Sequence, residues 1–400
     1  MTAVRIPLSN PTTGPQERSM VNEVLASGWV APAGPMLERF EQELAATTGR
    51  RYAVALSSGT AALQLQLLAA GVGEGSIVIC PTLTFVATLN AITHAGATPM
   101  LVDCDESGLL DVALVEQALR RDAERRIAAV VPVDLYGRLA DHRALEELTS
   151  QHGAELLVDA AESLGAQHNG LRGGGSGRAA AVSFNGNKIV TAAGGGAVVT
   201  DDERLAHKVR YLSTQAKARS DLYFHTEPGF NFRMSSLQAA VGLAQLQRLD
   251  EFLSVRSAHR KRYRQLCAEN TGVSILGGDA PGDNCWLTVL TFDGVGSEAI
   301  DALRDHLAAE GIETRRVFTP LHLMPLTAAN RQCPRVLSGR AVELFDTSLA
   351  VPSSPISPPE AIDEVAERIG QWWRTQAARF RDRRPGRRRR PVTTTSGGHE

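Results

Sequence analysis

Three groups of residues at the ends of apolar runs could do chemistry together. Lys188 follows "AAVSF" (180–184) within the stretch "SFNGNKIVTAAGGGAVVT". Asp159 closes "ELLVD" (155–159), and Glu162 stands three residues further on. "SSGTAALQLQLL" (57–68) opens a helical pattern directly after "YAVAL" (52–56). An amine at such a place can clamp a phosphate, act covalently, or simply be solvated. An aspartate at the end of a buried run either caps a helix or meets a cation, because its burial is otherwise costly. The turn at Ser58, Gly59 and Thr60 would aim free backbone N–H groups and the positive end of a helix dipole at an anion. Its plain alternative is a helix N-cap with no ligand.

Nucleotide readings of the glycines fail on context. "GSGRAA" (175–180) precedes an apolar run where a dinucleotide fingerprint would follow one. "GNK" (186–188) lacks the earlier glycine of a P-loop, and Ile189 replaces its Ser or Thr. Taken together, an anion turn, an acid and an amine satisfy one cofactor, pyridoxal 5′-phosphate (PLP). It needs a phosphate site, an acid to keep its ring nitrogen protonated, and a lysine for a Schiff base. That conjunction selects the covalent role for Lys188.

The elements that must position these residues are short apolar runs alternating with helical patterns. Candidate strands are 52–56, 76–80, 98–103, 128–133, 155–159, 180–184 and 196–200. The intervening helical stretches mostly end in glycine, which suits a C-cap. The pattern predicts an α/β fold, a three-layer large domain of about seven mostly parallel strands with helices on both faces. A continuous helix is expected from Met234 to about Asn270, then a smaller C-terminal α+β domain with "CWLTVLTF", "SEAIDALRDHLAAEG", a strand "IETRRV" and a final helix from Pro359. The expected division is 1–250 with an N-terminal arm, 251–378, and an Arg-rich tail at 379–400. Sites in such folds lie at the carboxyl ends of the strands, facing the cleft.

Composition is globular, with 43% hydrophobic and 22% charged residues, and no apolar run nears a membrane span. The tail holds eight arginines against Asp382 and Glu400, so the body carries 34 basic against 42 acidic residues. An acidic body does not suit nucleic acid, and the tail reads as a disordered, solvated extension. Five scattered cysteines without a CxxC pair argue for reduced thiols, a cytoplasmic location, and no structural zinc or other metal.

"ALSSGTAALQL", "PTLTFVATLNAI", "VDAAESLGA", "SFNGNKIVTAAGGGAVVT" and "GFNFRMSSLQAAVGLAQL" together resemble the DegT/DnrJ/EryC1/StrS sugar aminotransferases. The likeness runs from about Ile6 to Arg374. It implies the fold of aspartate aminotransferase and PLP as cofactor, with its pyridoxamine form during turnover. By position, Lys188 would form the Schiff base, Asp159 would pair with the ring nitrogen, and Phe85 would lie against the ring. Ser58, Gly59, Thr60 and Ser183 would hold the phosphate, and Asn231 would reach it from the other subunit of a homodimer with shared sites. His322 in "TPLHLMP" falls near the sugar end; Asn187 and Arg233 are further substrate candidates. Glu162 stands where many members carry Gln or His near the cofactor's 3′-oxygen.

"DAAESLG", "SFNGNK" and "YLSTQAK" (211–217) look like the branch that aminates a UDP-linked 4-keto-6-deoxy-N-acetylhexosamine for bacillosamine and legionaminic-acid pathways. The implied substrates are that nucleotide sugar and an amino-acid donor, L-glutamate. Other keto-sugars or keto-cyclitols remain open. Relatives that dehydrate sugars at C3 replace the lysine or need an iron–sulfur centre with clustered cysteines, and neither feature is present. A PLP-binding regulatory protein acting through the basic tail is the alternative from another class.

Overall fold

The computed structural model describes residues 4–219, 221–328 and 333–381. Apolar runs become strands in chain order: β1 (Tyr52–Leu56), β2 (Ile77–Pro81), β3 (Thr98–Val102), β4 (Ile127–Val130), β5 (Glu155–Asp159), β6 (Gln167–His168), β7 (Leu171–Arg172), β8 (Ala179–Ser183) and β9 (Gly196–Thr200). The C-terminal part adds β10 (Val273–Ile275), β11 (Thr288–Phe292), β12 (Arg315–Arg316), β13 (Arg335–Val336) and β14 (Ser348–Val351).

All seven expected strands join one sheet in the order β1-β9-β8-β5-β4-β2-β3-β13. Its central strands β8, β5, β4, β2 and β3 are parallel, whereas β9 runs antiparallel to both β1 and β8. Two buried apolar layers cover the two faces, as a doubly covered sheet requires. Burial on both faces explains why its strands read as continuous apolar runs instead of alternating ones.

Three expectations change. β13 extends the large sheet from a segment far along the chain, by pairing Arg335 and Val336 with Leu101 and Val102 of β3. The long helix is two helices, Ser236–Leu246 and Leu249–Glu269. Between them Arg248 leaves helical geometry (φ −108°, ψ 9°), and its guanidinium pairs with Glu17 and Glu251. The strand expected at "IETRRV" shrinks to the two residues of β12, which pair with β14 in a four-stranded antiparallel sheet, β10-β11-β14-β12. β6 and β7 form an unexpected hairpin around Asn169 and Gly170, both at positive φ. That Asn-Gly pair is a hairpin signal that the sequence does carry.

The N-terminal arm crosses to the smaller sheet's side of the molecule. Ile6 bridges Ile312, and the Leu8 amide donates to Glu313. Arg379 to Arg381 complete a short helical turn, so the tail is helical at its start; residues 382–400 lie outside the described residues. Among the described residues, no helix is long and apolar enough to cross a membrane.

Candidate active site

The parallel strands end together, and their carboxyl ends form one wall of a cavity of about 510 Å³. β1 leads into Ser58, whose side chain accepts from the Ala61 amide at 3.0 Å and so caps the helix Gly59–Ala69. The cap and anion readings coexist, because the first-turn amides of Gly59 and Thr60 have no acceptor within the helix. Ser183, ending β8, closes the turn from the opposite side. A Cβ on Gly59 would stand 2.9 Å from Ser183 Cβ, and one on Gly196 would stand 2.5 Å from the Gly59 nitrogen. Only glycine permits this close crossing, and the backbone cradle depends on it.

Asp159, at the end of β5, is buried. Thr88 Oγ1 donates to its Oδ2 at 2.7 Å, and the Ala161 amide donates to its Oδ1 at 3.1 Å. Burial pushes the carboxyl up to about 6 against these two hydrogen bonds. Among the described residues no cation stands within ion-pair distance of it, and the charge of Lys188 only partly offsets its burial.

Lys188 Nζ lies 3.1 Å from Glu162 Oε1, with both side chains largely buried. The other carboxylate oxygen of Glu162 accepts from the Tyr136 amide at 2.8 Å. Tyr136 is held at φ 57°, a strained value for a residue with a bulky side chain. The Lys188 ammonium also sits 4.1 Å from the centre of the Trp286 ring.

Phe85, 54% exposed, lines the same cavity. It begins an aromatic wall that sequence reasoning missed. Phe85 contacts Phe318 (5.7 Å), Phe318 stacks on Tyr136 (5.6 Å), and Tyr136 stacks on Trp286 (6.4 Å). The four come from separated parts of the chain, and no local pattern marks them as neighbours.

Ser58, Gly59, Thr60 and Ser183 therefore meet Phe85, Asp159, Glu162 and Lys188 around one cavity, and Asn187 lines it too. Three candidates do not. Arg233 Nη1 donates to Glu41 at 3.0 Å and to the Ala55 carbonyl at 3.0 Å, in a nearly buried side chain outside the cavity lining. His322 Nδ1 pairs with Thr82 Oγ1 at 2.7 Å, outside the lining. Asn231 is exposed, bridging Thr214 away from its own chain's cavity.

The sequence profile of the DegT/DnrJ/EryC1/StrS aminotransferase family matches residues 11–370. The chain belongs to that family. This aminotransferase is 37% identical to GDP-perosamine synthase of Caulobacter vibrioides, over 80% of this chain and 86% of that one. DesI, solved in the presence of its TDP-sugar product, superposes with a TM-score of 0.84 at 30% identity, covering 95% of this chain and 96% of that one. The PLP-form of Spr1654 from Streptococcus pneumoniae gives 0.85 at 26% identity, covering 92% and 98%.

The cofactor of this aminotransferase is PLP. The residues present fit it: a glycine-built anion cradle, a buried acid raised by desolvation, and an amine beside a carboxylate all face one space.

Proposed function

We propose that this aminotransferase moves an amino group from L-glutamate to the C4 ketone of a nucleotide-linked 4-keto-6-deoxy sugar. The observation that carries the reading is the convergence of Lys188, Asp159 and the Ser58–Thr60 turn on one cavity that the smaller sheet's side also lines through Arg315 and Arg316. When bound, PLP supplies an electron sink and carries the amino group between the two half-reactions.

The chain's own residues do the rest. Asp159 holds the positive charge of the ring nitrogen, and that cation relieves the burial that otherwise raises its carboxyl. Gly59 and Thr60 amides, with Ser183, bind the phosphate and fix the ring's register. Phe85 covers one ring face. Lys188 holds the cofactor covalently at rest, then serves as the base and acid that moves the proton at the donor's α-carbon. Glu162, 3.1 Å from Nζ, steadies that amine and would stand near the cofactor's 3′-oxygen.

A UDP-linked 2-acetamido sugar is the proposed acceptor, on the blocks "DAAESLG", "SFNGNK" and "YLSTQAK". A GDP-linked sugar is the second reading, favoured by the 37% identity to a GDP-perosamine synthase. The working unit is a homodimer in which Asn231 completes the partner's phosphate site. Leu222, Tyr223 (94% exposed) and Phe224 support it, since so apolar an exposed run, in the segment leading to Asn231, calls for a cover. Lys188→Ala tests the assignment. The variant should bind PLP without the absorbance of a lysine-linked cofactor and should transfer no amino group; retained turnover would refute it.

A further inference from the structure

Trp286 touches both Lys188 and the residue before it. Its indole Nε1 donates to the carbonyl of Asn187, the residue before Lys188, at 2.7 Å. Its ring face lies 4.1 Å from the Lys188 ammonium. A second donor, Ser9 Oγ of the N-terminal arm, grips the same Asn187 carbonyl at 2.9 Å.

Both grips share one anchor. Arg256, fully buried, donates to the Trp286 carbonyl at 2.6 Å, to the Ser353 carbonyl at 2.9 Å and to Ser9 Oγ at 3.2 Å. All three acceptors are neutral, so the guanidinium is desolvated for the sake of geometry, not for an ion pair. Asn284 ties Trp286 to the lysine's other neighbour. It accepts from the Trp286 amide at 2.8 Å and donates to the Glu162 carbonyl at 2.7 Å. The indole and the Glu162 carboxylate therefore sit in one frame, on two sides of the same amine.

We propose that Trp286 is a positioning residue for Lys188, holding its free amine against Glu162 so that it is aimed at the cofactor whenever the covalent link is open. The inference rests on the reading of Lys188 as the cofactor lysine. A cation over an indole face is attracted by the ring quadrupole, and the indole N–H fixes the backbone from which the side chain springs. Capture of PLP by the apoprotein is a condensation. The Lys188 ammonium first gives one proton to the Glu162 carboxylate 3.1 Å away; the neutral nitrogen then bonds to the aldehyde carbon in place of the carbonyl oxygen, which departs as water with the two remaining amine hydrogens.

The test compares wild type, Trp286→Leu, Trp286→Phe and Ser9→Ala as apoproteins. Capture is timed after addition of PLP, trapped with borohydride and located by peptide mapping. Non-covalent fit is measured with 4′-deoxypyridoxine 5′-phosphate, which has the ring and phosphate but no aldehyde. Trp286→Leu should slow capture by roughly ten- to a hundredfold, the scale of losing a near-attack geometry, while its affinity for the deoxy compound stays near wild type. Trp286→Phe, which keeps a ring face but not the N–H, should fall between, and Ser9→Ala should fall least. Capture at the wild-type rate in Trp286→Leu would overturn the proposal. So would an equal loss of deoxy-compound affinity, which would make Trp286 a pocket wall. A wild-type label on any lysine other than Lys188 would instead refute the reading beneath it.

Discussion

Thr88 Oγ1 donates to Asp159 Oδ2 across 2.7 Å, at the sheet edge where both side chains are buried. The hydroxyl comes from the first turn of the helix Val86–His94, which starts directly after Phe85. Under the proposed roles, one short segment would supply both the ring's covering face and the orientation of its acid. A buried hydrogen bond to a charged group contributes about 1.5–3 kcal/mol. Thr88→Val should therefore weaken PLP binding by roughly tenfold or more, and Thr88→Ser should restore most of it. Spectrophotometric titration of the apoprotein measures both.

Asp159 should also make the apoprotein's stability depend on pH. Burial raises its carboxyl from its ordinary value of 3.8 to about 6 in the folded chain. Across that window the folded chain keeps a proton that the unfolded chain has lost, so stability falls as pH rises and stays lower above it. A shift of that size corresponds to a fall on the order of 3 kcal/mol. Urea midpoints of the apoprotein from pH 4.5 to 7.5 should show the decline; Asp159→Asn or bound PLP should flatten it.

The phosphate cradle has its own probe. A methyl at Gly59 would meet Ser183 at 2.9 Å, so Gly59→Ala must push the first helical turn and β8 apart. Overpacking of this kind costs about 1–3 kcal/mol. The loss should appear in affinity for PLP and much less for pyridoxal, which lacks the phosphate. An equal loss for both would mean that the cradle is not where the phosphate sits.

Glu41 compensates two arginines, Arg233 at 3.0 Å and Arg210 at 2.8 Å, and accepts from the Ala55 amide in β1. Arg233 is nearly buried, and burial already pushes its guanidinium below the usual range. Glu41→Ala leaves that charge unpaired and should destabilise the fold by about 3–5 kcal/mol, read from chemical denaturation. Arg233→Met with Glu41→Leu should recover much of that loss, which fits a structural role for Arg233.

The strand ends were legible in the sequence because each carries a local signature: an apolar run, then a residue too polar for a strand interior. Lys188, Asp159 and Ser58 could be placed on one edge for that reason. Strand direction has no such signature, and the antiparallel β9 reads like the parallel strands of the same sheet. Arg233 looked free because Glu41 stands 192 positions away, where no periodicity connects them. Thr88, Tyr136, Trp286 and Arg256 were missed for the same cause: each acts through contacts that exist only once distant segments pack. The break at Arg248 had no Gly or Pro to announce it; it coincides with a tertiary ion pair to Glu17.

The most direct measurement loads the purified protein with pyridoxamine 5′-phosphate and adds UDP-, dTDP- and GDP-linked 4-keto-6-deoxy sugars one at a time. The account predicts that one of them, the UDP-linked 2-acetamido sugar first, restores the absorbance of lysine-linked PLP while the sugar gains an amine. No return of that absorbance with any nucleotide sugar would contradict it.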